Sequence, residues 1–390
     1  MINNNVIVED TTLRDGEQSP GVAFTKERKI SIFSSLLAAG IRWVEVGIPA
    51  MGGDELAVLE ILLERKNEAM LVAWNRGVEA DVVQSLNLGF QAVHIGLPTS
   101  AIHLNSSIKK DRVWLLRTAS DLISRAKDRG VYVSISAEDV GRSEMEFVEE
   151  YAVHVAEAGA DRIRLSDTVG ILTPEQYAEI VRRVVKVADI DVQCHAHNDF
   201  GLATANTLAG ICAGATFFHA TVNGIGERAG MPDLAQCVLA LKLLYGIDVG
   251  VNTSMLISLS RLVAEATHVH CPPWQPIVGT NVFAHESGIH ASATLNNSAS
   301  FEPFPPEMVN GVRRIVVGKH SGTAAIDSVL KLQGINCSSD ELKRYLTLVR
   351  ACSMSKGRGL EEKELLDLVR SVKCARINDR KVLAEVKYVD

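Results

Sequence analysis

Short β-branched runs alternate along the chain with stretches whose apolar residues recur at helical spacing. The runs are NVIVED (5–10), WVEVGIP (43–49), MLVAW (70–74), AVHIGLP (92–98), VYVSISAED (131–139), RIRLSD (162–167), DVQCHAHND (191–199) and FFHATVNG (217–224). Between them, segments such as TKERKISIFSSLLAAG and SEMEFVEEYAVHVAEAGA carry an amphipathic helical pattern with glycine near its C-terminal end. Eight strand-like runs, each followed by a helix, predict an α/β fold of the TIM (β/α)8 barrel type, with a doubly wound open sheet as the alternative.

In a barrel of this kind, chemistry sits where strands end and the following loops begin. The segments after the predicted strands include TTLRDGEQ, PAMGGDE, NRG, AEDVGR, SDTVG, HAHND and NGIGERAG. Glycines and charged residues collect there, so one mouth of the barrel is chemically loaded. Beyond about residue 250 the rhythm changes. HCPPWQPIVGTNVFAHESGIHASATLNNSASFEPFPPEMVNG is rich in Pro, Ser and Asn and reads as an irregular linker. GTAAIDSVLKLQGI, SSDELKRYLTLVRACSM and EEKELLDLVRSVK then read as helices. The expected organisation is a catalytic barrel over 1–255, a linker or lid region over 256–325 and a small helical subdomain over 326–390.

Composition narrows the class of partner. A chain of 390 residues, 47% hydrophobic, buries a large core, and a net charge of -7 without a Lys/Arg run argues against nucleic acid or an anionic membrane. The start, MINNNVIVEDTTLRDGEQ, lacks a signal-peptide pattern, and no apolar stretch is long enough to span a bilayer. A cytoplasmic protein acting on small molecules is expected. The seven cysteines are scattered and without a CxxC pair, which reads as reduced thiols, mostly in the core.

The candidate chemistry begins with His195 and His197. Alternate residues of a strand share a face, so the two imidazoles point together at a strand end and suit a divalent metal. Asp15 of LRDGEQ is the strongest third ligand, because strands one and eight adjoin in a closed barrel. Two His and one carboxylate leave open positions for substrate, and Zn, Mn, Fe or Mg fits such a set. A 2-oxo acid binds such a centre through its carboxylate and ketone oxygens. Arg14 offers a permanent cation for an alkoxide formed from that ketone, with Glu17 and Gln18 placed to orient it. Thr168 in SDTVG, near a helix start, is placed to hold a substrate carboxylate. FAHESGIH adds His285, Glu286 and His290, where a histidine base suits proton removal from a weakly acidic carbon. GKHSG (318–322) suits an anion or a tight turn.

DTTLRDGEQSPG, SDTVG, HAHNDFGLATAN, NGIGERAG, HESGIH and GKHSG, in this order, resemble the 2-isopropylmalate, citramalate and homocitrate synthase family of metal-dependent TIM-barrel Claisen enzymes. Within it, VGIPAMGGDE and LVAWNR are most similar to the nitrogenase-associated homocitrate synthases. The resemblance implies that acetyl-CoA is deprotonated at its methyl group, that the enolate attacks the ketone of a 2-oxo acid, and that thioester hydrolysis completes the turnover. By motif match it makes Asp15, His195 and His197 metal ligands and Arg14 the group that polarises the ketone. Gln18 and Thr168 then position the oxo acid, Ser136 joins the substrate-binding set, and Glu138 and Glu227 line the site. His290 matches the acid/base, delivered by a linker that in relatives covers the partner subunit's barrel, so a homodimer with shared active sites is expected.

Two departures stand out. GERAGMPD places Met231 where the family pattern has Asn, and no Tyr occurs between Tyr245 and Tyr345 to pair with the catalytic His. For the substrate, 2-oxoglutarate needs a cation for its distal carboxylate, and Arg76 is the candidate. His94, by contrast, matches the histidine beside the branched side chain in isopropylmalate synthases. The expectation is homocitrate synthesis; the alternatives are the same chemistry on another 2-oxo acid, a hydroxymethylglutaryl-CoA lyase-like cleavage, or a non-catalytic binding protein.

Overall fold

The computed structural model describes residues 5–286 and 300–385, with side chains described to residue 373. The eight runs form a closed, all-parallel barrel in chain order: β1 (Ile7–Asp10), β2 (Trp43–Gly47), β3 (Met70–Arg76), β4 (Ala92–Gly96), β5 (Tyr132–Glu138), β6 (Arg162–Asp167), β7 (Asp191–Ala196) and β8 (Phe217–Ala220). β8 closes on β1, with Glu9 opposite His219. The expected TIM barrel is therefore observed.

β7 and β8 end three and four residues before their sequence runs do. β8 stops at Ala220 because residues 222–224 turn, with Asn223 in the left-handed region at φ 62°. β7 stops at Ala196, so His197 lies one residue beyond the strand.

The helices α1 (Lys26–Ala38), α2 (Gly53–Leu63), α3 (Glu79–Leu88), α4 (Arg112–Lys127), α5 (Met145–Glu157), α6 (Pro174–Val187), α7 (Ala203–Cys212) and α8 (Leu234–Leu244) form the outer ring. Polar side chains fix several of their starts. Thr173 and Gln176 form a capping box ahead of Pro174 in α6, and Thr25, Asp111 and Asp233 cap α1, α4 and α8. A ninth helix, α9 (Leu256–Thr267), packs against α1.

The chain divides into two compact units, Met1–Cys271 and Pro272–Asp390, so α9, placed by sequence at the start of the linker, belongs to the first. The second unit contains a two-stranded parallel sheet, β9 (Ala284–His285) with β10 (Arg314–Ile315), and helices α10 (Thr323–Leu332), α11 (Ser339–Lys356) and α12 (Glu362–Glu385). Ile326, Leu330, Tyr345, Val349 and Leu365 centre its core. The six described cysteines are free thiols, and no described helix is long and apolar enough to cross a membrane.

The inside of the barrel is polar. Along the inward face, buried Glu9, Glu45, His94, Ser134, Arg162, Arg164, Gln193 and His219 take places that apolar side chains usually fill. At the strand starts, the rings of Trp43, Tyr132 and Phe217 surround the Arg162 guanidinium at 5.4, 5.5 and 4.5 Å. That cage seals the end opposite the loaded mouth.

On the outward side of β1, buried Asp10 accepts from the Thr12 N–H and the Thr12 hydroxyl, both at 2.9 Å. Burial pushes its carboxyl up from 3.8 to about 7. The folded protein therefore keeps this proton where the unfolded chain has lost it, and stability falls as pH rises between those two values. Asp10→Asn is expected to melt above the parent at about pH 8, with an advantage that shrinks toward about pH 4, each pH unit in the window being worth roughly 1.4 kcal/mol at most. A melting difference that does not change with pH contradicts this account.

Candidate active site

The loop after β1 doubles back at once: the N–H groups of Arg14 and Gly16 both donate to the Thr11 carbonyl. This turn buries Arg14 and Asp15 side by side at the mouth. Arg14 Nη1 donates to Asp15 Oδ2 at 2.9 Å and to Gln18 Oε1 at 3.0 Å, and its Nε donates to Glu45 Oε1 at 2.5 Å. The Trp74 ring lies 5.7 Å from the guanidinium carbon. Four contacts fix the cation, so Gln18 does orient Arg14, whereas Glu17 turns away to pair with buried Lys29.

His195 is seated by its backbone. Its N–H donates to the Tyr177 hydroxyl, which in turn donates to the Leu165 carbonyl, tying α6 to β6 and β7. His195 Nε2 lies 3.3 Å from His197 Nε2 and 3.8 Å from Asp15 Oδ2. One ligand atom from each of Asp15, His195 and His197 falls within 4.8 Å of the others, and all three residues are buried. Burial, and then the neighbouring His197, His219 and arginines, push His195 well below the usual histidine range; burial also lowers His197. Two neutral imidazoles, one carboxylate and a buried His197 Nδ1 without a partner are a donor set that fits a divalent cation.

Met231 supplies no such donor. Its buried side chain packs where a Cβ on Gly226 would touch it at 2.7 Å, beside Asp15 Oδ1 at 3.1 Å. A second group, Glu9, Glu45 and His219, is equally compact, but guanidiniums already face both of its carboxylates.

The other predicted residues divide into those at this mouth and one that is not available. Ser136 Oγ donates to Glu138 Oε1 at 3.4 Å, and burial raises the Glu138 carboxyl. Thr168 Oγ1 accepts from the Asp139 N–H at 2.8 Å, and the Glu227 N–H reaches Asp15 Oδ1 at 3.4 Å. His94 is buried with Nδ1 on Ser134 Oγ at 2.9 Å and Nε2 without a partner.

Arg76 departs from expectation. Its side chain is 62% exposed and its guanidinium forks onto Asp81 at 2.7 and 2.9 Å, so it is not a buried, unpaired cation. The reason is local: Asp81 stands in the first turn of α3, where it captures the arginine that ends β3. His290 lies outside the described residues. In the second unit, Glu286 accepts from the His320 N–H and its carbonyl accepts from Ser321 Oγ, so Glu286 meets the GKHSG motif.

Sequence reasoning missed the charges beneath the mouth. Glu9, Glu45, Arg162, Arg164 and His219 interrupt apolar runs at alternate positions, and a charged residue inside a parallel strand was the available signal. It also missed a clamp across the mouth. Arg228 forks onto Asp199 at 2.8 and 2.9 Å and donates to the Thr168 carbonyl at 2.7 Å, joining the loops after β6, β7 and β8.

Residues 5–263 match the family model described as HMGL-like, and residues 277–357 match the homocitrate synthase post-HMGL domain-like model. The chain is 59% identical to a 2-phosphonomethylmalate synthase of Streptomyces rubellomurinus over 94% of this chain and 98% of that protein. It is 46% identical to 2-isopropylmalate synthase 2 of Caldanaerobacter subterraneus (94% and 96% covered) and 44% identical to homocitrate synthase 1 of a Nostoc species (94% and 97%). In structure it resembles a hydroxymethylglutaryl-CoA lyase of Pseudomonas aeruginosa, with a TM-score of 0.61 at 20% identity over 68% of this chain and 93% of that one, which shows the shared barrel fold.

The clamp depends on a glycine. Gly170 sits at φ +63°, and a Cβ there would lie 2.5 Å from Asp199 Oδ2 and 3.0 Å from the His197 carbonyl. Gly130, at φ +69°, has nothing within 4 Å of that position. Gly130→Ala is expected to cost about 1–2 kcal/mol for the backbone alone, and Gly170→Ala at least about 1 kcal/mol more because Asp199 must move. Denaturant titration checks this; equal losses contradict the clamp.

Proposed function

Because this chain belongs to the HMGL-like family, among its acetyl-CoA-dependent synthases that act on 2-oxo acids, we propose that it condenses acetyl-CoA with 3-phosphonopyruvate to give 2-phosphonomethylmalate and CoA. The observation that carries the substrate is the 59% identity, nearly end to end, to a synthase of that product. The product's own chemistry names the oxo acid: carbon 2 of the malate, which bears the phosphonomethyl group, is the former ketone carbon.

The proposed roles follow from the site. Asp15, His195 and His197 hold a divalent metal, whose contribution when bound is electrophilic polarisation of the oxo acid. Arg14, held rigid by Glu45, Asp15 and Gln18, stabilises negative charge on the former ketone oxygen as the carbon–carbon bond forms. Thr168 and Gln18 orient the oxo acid. Glu138, whose carboxyl burial raises, and Glu227 border the same space. Ser136 and His94 line the wall between β4 and β5, where His94 Nε2 is a free polar atom for the phosphono group. His290 removes the methyl proton of acetyl-CoA, and water then cleaves the thioester.

A homodimer with shared active sites belongs to the same reading. Met51 (69% exposed), Phe200 (72% exposed), Ile102 and Ile171 rise from four different loops of the mouth, an apolar rim suited to being covered. Homocitrate synthesis is the second reading, supported by the 44% relative and by the family model over residues 277–357. It requires a cation other than Arg76 for the distal carboxylate.

The test is CoA release from acetyl-CoA with 3-phosphonopyruvate, 2-oxoglutarate, 2-oxoisovalerate, pyruvate and oxaloacetate in parallel, with and without chelator. Metal-dependent release favouring 3-phosphonopyruvate by about 100-fold or more in kcat/KM is expected, and Arg76→Ala should leave it unchanged. Preference for 2-oxoglutarate would reinstate the homocitrate reading.

A further inference from the structure

We propose that Glu9 and His219 are positioning residues for the metal site, holding His195 in the one tautomer that turns a bare Nε2 toward the mouth; the inference rests on the metal reading above. Beneath the mouth, three buried groups stand in line. His195 Nδ1 lies 2.9 Å from His219 Nδ1, and His219 Nε2 lies 2.7 Å from Glu9 Oε1. Both His219 and Glu9 are fully buried.

Counting protons leaves one arrangement. Glu9 is ionised: burial alone would raise its carboxyl, but Arg162, with Nη2 at 2.7 Å, and His219 hold it at about 2. An ionised carboxylate only accepts, so His219 Nε2 must carry the hydrogen. A cation on His195 Nε2 leaves that ring's hydrogen on Nδ1, so His219 Nδ1 is the acceptor between the two rings. The 2.9 Å contact needs one hydrogen, which His195 Nδ1 supplies. His195 Nε2 is left without a proton, and it is the atom 3.8 Å from Asp15 Oδ2 and 3.3 Å from His197 Nε2. A backbone carbonyl or a carboxylate usually fixes the second nitrogen of a metal-binding histidine. Here a second histidine extends that contact to a carboxylate deep in the barrel, itself anchored by the caged Arg162.

The same contacts argue against a cation among Glu9, Glu45 and His219. Glu9 faces Arg162 and Arg164, Glu45 faces Arg164 and Arg14, and the hydrogen on His219 Nε2 points at Glu9. The cluster supports the metal site instead of being one.

The test uses the full chain, stripped with chelator and titrated with Mn2+ alone, free Mn2+ being read by its electron paramagnetic resonance signal. The parent is expected to bind one Mn2+ per chain. His219→Leu should weaken binding about 10–100-fold, and His219→Gln should recover most of the loss, since its amide oxygen accepts from His195 while its amide nitrogen donates to Glu9. His219→Asn, one methylene shorter, can reach His195 with its amide oxygen but not Glu9 and should bind Mn2+ less tightly than His219→Gln, which keeps a comparison available if the leucine variant does not fold. A purely structural role would lower the melting temperature of the metal-free variants and leave Mn2+ affinity unchanged. Parental affinity in His219→Leu or His219→Asn, or a His219→Gln no tighter than either, overturns the proposal. A parent that binds no Mn2+ overturns the metal reading on which it stands.

Discussion

A column of buried charge along the barrel axis is the constraint on which the site depends. From the closed end to the mouth, Arg162, Glu9, Arg164, Glu45, Arg14 and Asp15 alternate in sign, with successive contacts of 2.7, 3.2, 2.6, 2.5 and 2.9 Å. Charges taken out of water are costly, and removing one partner of a buried pair typically costs about 3–5 kcal/mol. The column avoids that penalty because each interior charge touches two of opposite sign. Burial opposes ionisation of Glu45, yet Arg14 and Arg164 hold its carboxyl well below the usual range. Both Arg14 and Asp15 are thus oriented from below, before any substrate arrives, which is the preorganisation that electrostatic stabilisation of developing charge requires.

The fold was legible because its signals are local. The alternation of β-branched runs with amphipathic stretches gives a parallel barrel, and the connection rules make β1 the neighbour of β8. That adjacency is what brought Asp15 to His195 and His197 in the reading of the sequence. The interior column was not legible in the same way. Glu9 and Arg164 are far apart in the chain, and their pairing depends on the stagger of the barrel, which no local pattern reveals. Arg76 shows the opposite failure. Its place at a strand end was read correctly, but its partner Asp81, five residues on, took the charge that was expected to face substrate.

Substrate choice is harder to read than reaction type for a physical reason. The condensation needs a fixed set of groups near the ketone, and these stand on strands and tight turns. The group that distinguishes one 2-oxo acid from another lies away from the ketone, so the residues that meet it need not share the pattern of those that serve the reaction. Inside the barrel, His94 keeps a buried nitrogen without a partner, and at the mouth the residues from β4 to α4 leave α-helical spacing for a π-helical turn over His103–Ile108. Such turns occur often at functional sites.

Asp15, His195 and His197 are proposed as the metal site, with the charge column beneath them supporting it without binding metal itself. Crystals of the protein grown with Mn2+, with diffraction recorded on both sides of the manganese absorption edge, test it most directly. One anomalous peak is expected, lying among Asp15, His195 and His197. A peak among Glu9, Glu45 and His219, or none at the mouth at saturating Mn2+, would contradict it.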